Sequence, residues 1–264
     1  MGRYVFEHSW EGERARLAML EEIFDPGTVR HLDALGVGPG WRCLEVGAGA
    51  GSVARWLCER VGAGGRVVAT DVATGLLEPL AGEFACAEVL CHDVVADDLP
   101  EDAFDLIHAR LLLEHLPERD LALKRLVAAL APGGVLLLED FDWSCFKPRP
   151  GPGDAVFERV GMAMLGLMEA NGYTPWFGRR LPALLGDAGL ERLGAEGRAL
   201  IGLPGTVAAS WWLLSFESVR EGIVARGAAT AAEIDEMVAL CSTPGFSWQY
   251  PVLVAAWGRR PESY

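Results

Sequence analysis

The chain has 264 residues, 51% of them hydrophobic, which is enough apolar material for one large domain with a real core and excludes disorder as its default state. Its 37 acidic against 23 basic residues give a formal net charge of −14, with only two lysines, Lys124 and Lys147. That balance argues against a nucleic-acid backbone as partner, and no apolar run reaches the roughly 18 residues of a membrane span.

The first segment, WEGERARLAMLEEIF, places Leu17, Leu20, Ile23 and Phe24 on one helical stripe, which Asp25-Pro26-Gly27 is expected to end. A second short helix is expected over 28–35. The amino-terminal residues contain no long apolar region, so no secretory signal is read there. From Trp41 the pattern alternates. WRCLEV is a short strand entering a glycine turn, and SVARWLCERV is an amphipathic helix. RVVAT is a strand closed by Asp71, residues 74–84 read as helical, and AEVLCHD is a strand closed by Asp93. AFDLIHA is a fourth strand. PERDLALKRLVAALAPGG has the proline start and glycine stop of a helix, and VLLLEDFDW is a fifth strand. Continuous apolar strands separated by helices predict a parallel sheet covered on both faces.

Beyond KPRPGPG the regularity falls away. Helices are predicted in DAVFERVGMAMLGLMEANG, GRRLPALLGDAGL, PGTVAASWWLLSFESVREGIVARG and TAAEIDEMVALC, with strands in ERLGAEGRALI and YPVLVAAWG. Of 23 aromatic residues, 15 lie after residue 140, so the second half reads as sheet completion plus an aromatic cover suited to an apolar ligand. The expected division is an N-terminal helical lid over 1–40, a core over 41–141 and a helical, aromatic-rich cap over 142–264, integrated as one domain. The six cysteines form no CxxC and no metal-like spacing, which predicts reduced thiols in a cytoplasmic protein and no metal.

The chemistry concentrates in LEVGAGAGSVARWL. Gly47, Gly49 and Gly51 follow Glu45 at alternate positions. A dinucleotide site would want G-x-G-x-x-G, and Ser52 stands where its third glycine would fall. A carboxylate two residues before the first glycine also suits a pyrophosphate poorly. It suits a ligand carrying an ammonium and a sulfonium better. Asp71 and Asp93, at the ends of successive strands, supply acceptors for ribose hydroxyls and an adenine amino group.

The run Glu45-Val46-Gly47-Ala48-Gly49-Ala50-Gly51 resembles the E/D-x-G-x-G-x-G signature of class I S-adenosylmethionine-dependent methyltransferases. AFDLIHARLLLEHLPERDLALKRLVAALAPGGVLLLEDF resembles their fourth strand, helix and fifth strand, and VAAWGRRP the final strand of small bacterial members acting on small molecules. The resemblance is strong over residues 40–141. It implies an α/β, doubly wound, mostly parallel seven-stranded Rossmann-like sheet with the last strand antiparallel, plus helical cap or lid elements. It further implies S-adenosylmethionine as cofactor, direct displacement at its methyl group and S-adenosylhomocysteine as product.

The expected cofactor-binding residues are Tyr4, Glu45, Gly47, Ala48, Gly49, Asp71, Val72, Asp93, Val94, Ala109 and Arg110. Glu45 either anchors the turn or meets the amino group, and Arg110 either meets the cofactor carboxylate or pairs with a nearby acid. Gly51 is assigned to turn and helix packing. Tyr4 and Trp10 are candidates for an aromatic lid over the sulfonium. His115 is the candidate base, with a loop-orienting role as its alternative. Trp10, Asp142, Trp143, Trp176, Trp211 and Trp212 are candidate substrate-pocket residues, with Phe146, Met164, Met168 and Trp248 as further possible walls. The expected function is methyl transfer to a small apolar or aromatic acceptor, at oxygen, nitrogen or carbon, in secondary metabolism. No nucleic acid or membrane partner is expected, and the oligomeric state is open. The alternatives are a cofactor-binding protein without turnover and a nicotinamide-dependent oxidoreductase.

Overall fold

The computed structural model describes residues 12–262. Its helices are α1 (Glu13–Leu35), α2 (Ser52–Val61), α3 (Glu78–Glu83), α4 (Arg119–Ala129), α5 (Asp154–Glu169), α6 (Leu181–Asp187), α7 (Val207–Ala225) and α8 (Ala231–Cys241). The strands are β1 (Arg42–Val46), β2 (Arg66–Asp71), β3 (Ala87–Cys91), β4 (Phe104–Arg110), β5 (Leu130–Asp142), β6 (Lys147–Pro148), β7 (Glu191–Arg198), β8 (Ile201–Gly202), β9 (Trp248–Gln249) and β10 (Val252–Arg259). Seven of them form one sheet in the order β3-β2-β1-β4-β5-β10-β7. The first five are parallel, and β10 runs antiparallel to both β5 and β7. This is the doubly wound, Rossmann-like α/β sheet with an antiparallel last strand. Strand order reverses beside β1, so the crevice for a ligand lies beyond the carboxyl ends of β1 and β4.

Three apolar clusters hold the molecule together. On one face of the sheet, Val53, Leu57 and Val61 of α2 and Leu32 of α1 pack on Val67, Leu106 and Leu137. On the other, Leu123 and Leu126 of α4 and Leu181 and Leu185 of α6 pack on Leu44, Ile107 and Leu136. With both faces covered, the central strands are apolar on both sides, which explains why they read as continuous runs. The third cluster is the aromatic cap, where α5, α7 and α8 enclose Phe24, Phe141, Trp143, Trp211, Trp212 and Trp248.

The start of the chain departs from expectation. Asp25-Pro26-Gly27 does not end a helix, because α1 continues through Pro26 to Leu35. A proline within a helix removes one backbone donor. Here tertiary contacts offset that loss. Phe24 packs edge-on against Trp211 with ring centroids 5.7 Å apart, and Arg198 donates to the carbonyl of Ile23 at 3.0 Å. The sequence also gave no sign of the small second sheet β6-β9-β8, whose two-residue strands are too short to show a period. Residues 74–84 divide into a 3₁₀ turn at Thr74–Leu76 and α3.

Candidate active site

The glycine turn leaves β1 with all three glycines left-handed, at φ of 69° for Gly47, 58° for Gly49 and 91° for Gly51. Residues with a Cβ rarely adopt such angles, which accounts for glycine at each alternate position. The amides of Gly47 and Ala48 donate to the carbonyl of Thr70 on β2 at 2.8 and 2.9 Å. Asp71 fixes the far side, its carboxylate accepting from the amides of Gly49 and Ala73, each at 3.0 Å. A Cβ at Gly51 would lie 2.9 Å from Leu77, so this glycine serves close packing of the turn against the segment after β2.

A cavity of about 590 Å³ opens above this turn. It is walled by Glu45, Gly47, Ala48 and Gly49, by Asp71 and Val72, by Asp93 and Val94, by Arg110, Leu112 and His115, and by Arg16, Leu17, Leu20 and Glu21 of α1. The strand-end residues singled out from the sequence therefore meet on one wall, except Ala109, which is buried in the core beside Leu44 and Val46. Tyr4 and Trp10 lie outside the described residues.

The charge in this cavity is acidic. Glu13, Glu21, Glu45, Asp71, Asp93 and Glu118 line it, and its two guanidiniums already hold acids. Arg16 pairs with Glu13 at 2.7 Å, and Arg110 donates to Asp25 at 2.8 Å and to Thr28 at 2.9 Å. Arg110 thus takes the second of its two expected roles. Glu21 of α1, which nothing in its sequence surroundings sets apart, accepts from the amide of Ser52 at 3.3 Å. That amide opens α2, the helix terminus where a dinucleotide's pyrophosphate would bind, so a carboxylate of the chain's own occupies the anion position. Burial pushes the Glu21 carboxyl up.

Glu45 faces His108 across the β1–β4 pair, with Nδ1 of His108 2.7 Å from its carboxylate. On the other side, Nε2 of His108 is 3.3 Å from Glu139 of β5, which also accepts from Thr28 and contacts His31 at 3.3 Å. Burial alone would push His108 down, but the two flanking carboxylates hold it up at about 9. Glu139, despite burial, is kept well below the usual carboxylate range by the hydrogen bonds from His108 and His31. Glu45 thus ties the cavity floor to a buried charge chain that reaches α1.

Behind His115 a smaller chamber of about 50 Å³ adjoins the cavity, with Arg16, Leu20, Leu111 and His115 forming part of both walls. Phe141, Trp143, Met164, Met168, Trp211 and Trp212 form its apolar lining, and Glu114, Tyr173 and Ser215 are its polar members. Trp143, Trp211 and Trp212 stand where a substrate pocket was expected, while Phe146 and Trp248 are packed in the cap outside the chamber. Trp176 is 48% exposed and lines neither space. Asp142 also lines neither. It is held by Arg179 at 2.7 Å and the Ser144 amide at 2.9 Å, and the guanidinium keeps its carboxyl below its ordinary value although burial opposes this.

His115 is well placed but differs from the readily titrating base expected. Burial, reinforced by the charges of Arg16 and Arg119, pushes it down to about 3, so its imidazole is neutral. It lies against Tyr173 with ring centroids 4.8 Å apart. The proton-holding group of the chamber is its neighbour Glu114, which burial pushes up to about 8. Glu114 accepts from the amide of Phe141 at 2.8 Å and from the Tyr173 hydroxyl at 3.0 Å, and that hydroxyl accepts from the Trp143 indole at 2.7 Å.

An open doubly wound sheet, a left-handed glycine turn and acids closing successive strands define the nucleoside-binding architecture of class I methyltransferases. The comparisons agree. Residues 3–193 match the family model described as a methyltransferase domain, and the chain belongs to that family. It is 31% identical over 179 residues to methyltransferase str2 of Strobilurus tenacellus, covering 66% of this chain and 62% of that protein. It is 33% identical over 123 residues to the ubiquinone/menaquinone biosynthesis C-methyltransferase UbiE of Laribacter hongkongensis, covering 44% of this chain and 50% of that one. These matches therefore span about half to three fifths of the curated relatives' own lengths. Among solved structures, phosphoethanolamine N-methyltransferase 2 of Haemonchus contortus in complex with S-adenosyl-L-methionine superposes with a TM-score of 0.53 at 17% identity, over 98% of this chain and 55% of that one, a likeness of fold.

Proposed function

We propose that the protein transfers a methyl group from S-adenosylmethionine to a small, apolar or aromatic acceptor. The observation that carries this reading is the acidic cavity above the glycine turn, with its helix terminus already answered by Glu21. A cationic nucleoside suits such a wall, and a pyrophosphate does not. When bound, the cofactor supplies a methyl group on a cationic sulfur, open to direct displacement.

The chain's own residues divide the remaining work. Gly47 and Gly49 allow close backbone approach. Asp71, pre-set by the Gly49 and Ala73 amides, keeps further lone pairs for ribose hydroxyls, and Asp93 with Val72 and Val94 frames the base. His115 stands where the cavity meets the chamber and positions the acceptor as a neutral hydrogen-bonding group. Much of the rate gain in such a site can come from alignment of acceptor and methyl group, which is worth several kcal/mol. Where the acceptor must lose a proton, Glu114 is the base within the chamber once it ionises, near pH 8. Six cysteines outside any disulfide, with Cys91 and Cys145 exposed, support a reducing, cytoplasmic setting. A place in secondary metabolism belongs to the same reading.

Calorimetric titration with S-adenosylhomocysteine, with NADH in parallel, tests it. The expected result is binding of the first ligand alone, weakened about tenfold or more in Asp71→Asn, which keeps the size of the side chain but halves its acceptors. Binding of NADH, or of neither ligand by protein freed of any carried-over small molecule, overturns the proposal.

A further inference from the structure

The chamber behind His115 has an unusual polar balance. Most of its polar side chains are already committed. The Tyr173 hydroxyl lies between Trp143 and Glu114, Glu114 holds the Phe141 amide, and the Ser215 hydroxyl donates to the Trp211 carbonyl at 2.9 Å. The indole N–H groups of Trp211 and Trp212 are not. Both residues line the chamber, they are 5% and 1% exposed, and neither Nε1 has a hydrogen-bond partner among the described residues. A buried donor without a partner loses its water and gains nothing in return, so a pair of them beside a cavity calls for an acceptor from outside the chain.

We propose that Trp211 and Trp212 are specificity-determining residues that take an oxygen atom of an otherwise apolar acceptor, seated in the chamber while the body of that acceptor lies toward His115. This deepens the methyltransferase reading and rests on it for calling the ligand an acceptor. An indole N–H is a donor only, so the group it receives must bring lone pairs. An ammonium brings none. A carboxylate or phosphate would need a cation, and the chamber's guanidinium, Arg16, already holds the Glu13 carboxylate through Nε and Nη2, each at 2.7 Å. Glu114 and Asp140 beneath the chamber, kept protonated by burial, supply no positive charge to offset a buried anion there. A neutral carbonyl, ether or hydroxyl oxygen remains. At about 50 Å³ the chamber admits the oxygen-bearing end of a molecule rather than the whole of it, and the unbranched Met164 and Met168 let its wall adapt to different ends.

Acetophenone and α-methylstyrene test this directly, because they differ by oxygen against methylene at nearly constant shape. Protein labelled with ¹⁵N in tryptophan is titrated with each, and the indole resonances are assigned from the Trp211→Phe, Trp212→Phe and Trp248→Phe variants. The Trp248 indole, also buried, without a hydrogen-bond partner within 3.5 Å among the described residues and outside the chamber, is the internal control. Acetophenone is expected to move the Trp211 and Trp212 N–H signals downfield and leave Trp248 in place. α-Methylstyrene is expected to bind about tenfold more weakly without that shift. In the Trp211→Phe/Trp212→Phe protein the preference should vanish. Equal binding of the two probes, no binding of either, or an equal response at Trp248 overturns the proposal, and the first two outcomes need no variant that folds. S-adenosylhomocysteine binding measured on the same samples separates the two readings. Its loss with probe preference intact sinks the cofactor assignment alone, and the reverse sinks only the role of the indoles.

Discussion

Glu139 and Asp140 are consecutive residues of β5, both 1% exposed, yet their carboxyls are driven in opposite directions. Successive strand residues face opposite sides of the sheet, so each enters a different cluster. On one side Glu139 sits in a chain where acids alternate with bases, Glu45, His108, Glu139 and His31, and its hydrogen bonds outweigh burial. On the other, Asp140 joins Glu114 and Tyr173, where among the described residues no base is hydrogen-bonded between them, and burial pushes all three up. The same strand thus supports a charged cluster under the larger cavity and a proton-holding cluster under the chamber. Neighbour identity decides which.

Breaking the charged cluster should have the largest effect. In His108→Leu, Glu45 and Glu139 lose the cation between them while staying buried, and removing one partner of such a pair typically costs about 3–5 kcal/mol. Urea denaturation at pH 7 measures it, and a loss below about 1 kcal/mol would show that the cluster is not ionised as described. The wild-type protein carries the matching pH signature. His108 lies above its unfolded value, so its stabilisation is fully present below about pH 6.5 and is lost as pH rises through about 9.

The second cluster is sharpened by Glu114→Gln, which keeps shape and acceptor oxygen but cannot ionise. Native Glu114 holds a proton that the unfolded chain releases above about 4.5, so wild-type stability falls as pH rises from there to about 8. The variant lacks this decline. It should match the wild type near pH 4.5 and exceed it by roughly 2–4 kcal/mol at pH 9. The contribution of His108 is common to both proteins and cancels in the difference. A constant offset across that range would mean that Glu114 stays ionised, with the chamber open to water. If Glu114 also takes a proton from the acceptor, the same substitution abolishes the alkaline rise in turnover and leaves S-adenosylhomocysteine affinity unchanged.

These clusters also mark where the sequence stops being informative. The glycine turn and the acids at 45, 71 and 93 were legible because their roles follow from local facts, a strand end and an alternate-glycine backbone. The chamber was only partly legible, since Leu20, Phe141, Met164, Tyr173 and Trp211 come from separate elements and meet only after α1, α5 and α7 close over β5. A count of aromatics placed an apolar cover in the second half but could not say that Trp176 faces outward while Trp212 is enclosed. The titration of His115 was misjudged for the same reason, because desolvation is a property of the packed cap. One signal was present and passed over. VLLLEDF sets two acids in a strand buried on both faces, and such acids must either be paired or hold a proton.

The smallest effect is expected at Trp176. Its indole is half exposed and borders neither the cavity nor the chamber, so Trp176→Ala should change stability by no more than about 0.5 kcal/mol and probe affinity by less than about twofold. Trp212→Ala, removing an indole packed against Trp143, Phe146, Phe216 and Tyr250, should cost about 3–5 kcal/mol. The pair isolates burial from residue type, because both positions lose the same atoms. A Trp176→Ala protein of normal stability that binds acetophenone much more weakly would extend the acceptor's path past the chamber to the surface beside β5, where an exposed aromatic face could meet a longer apolar substrate.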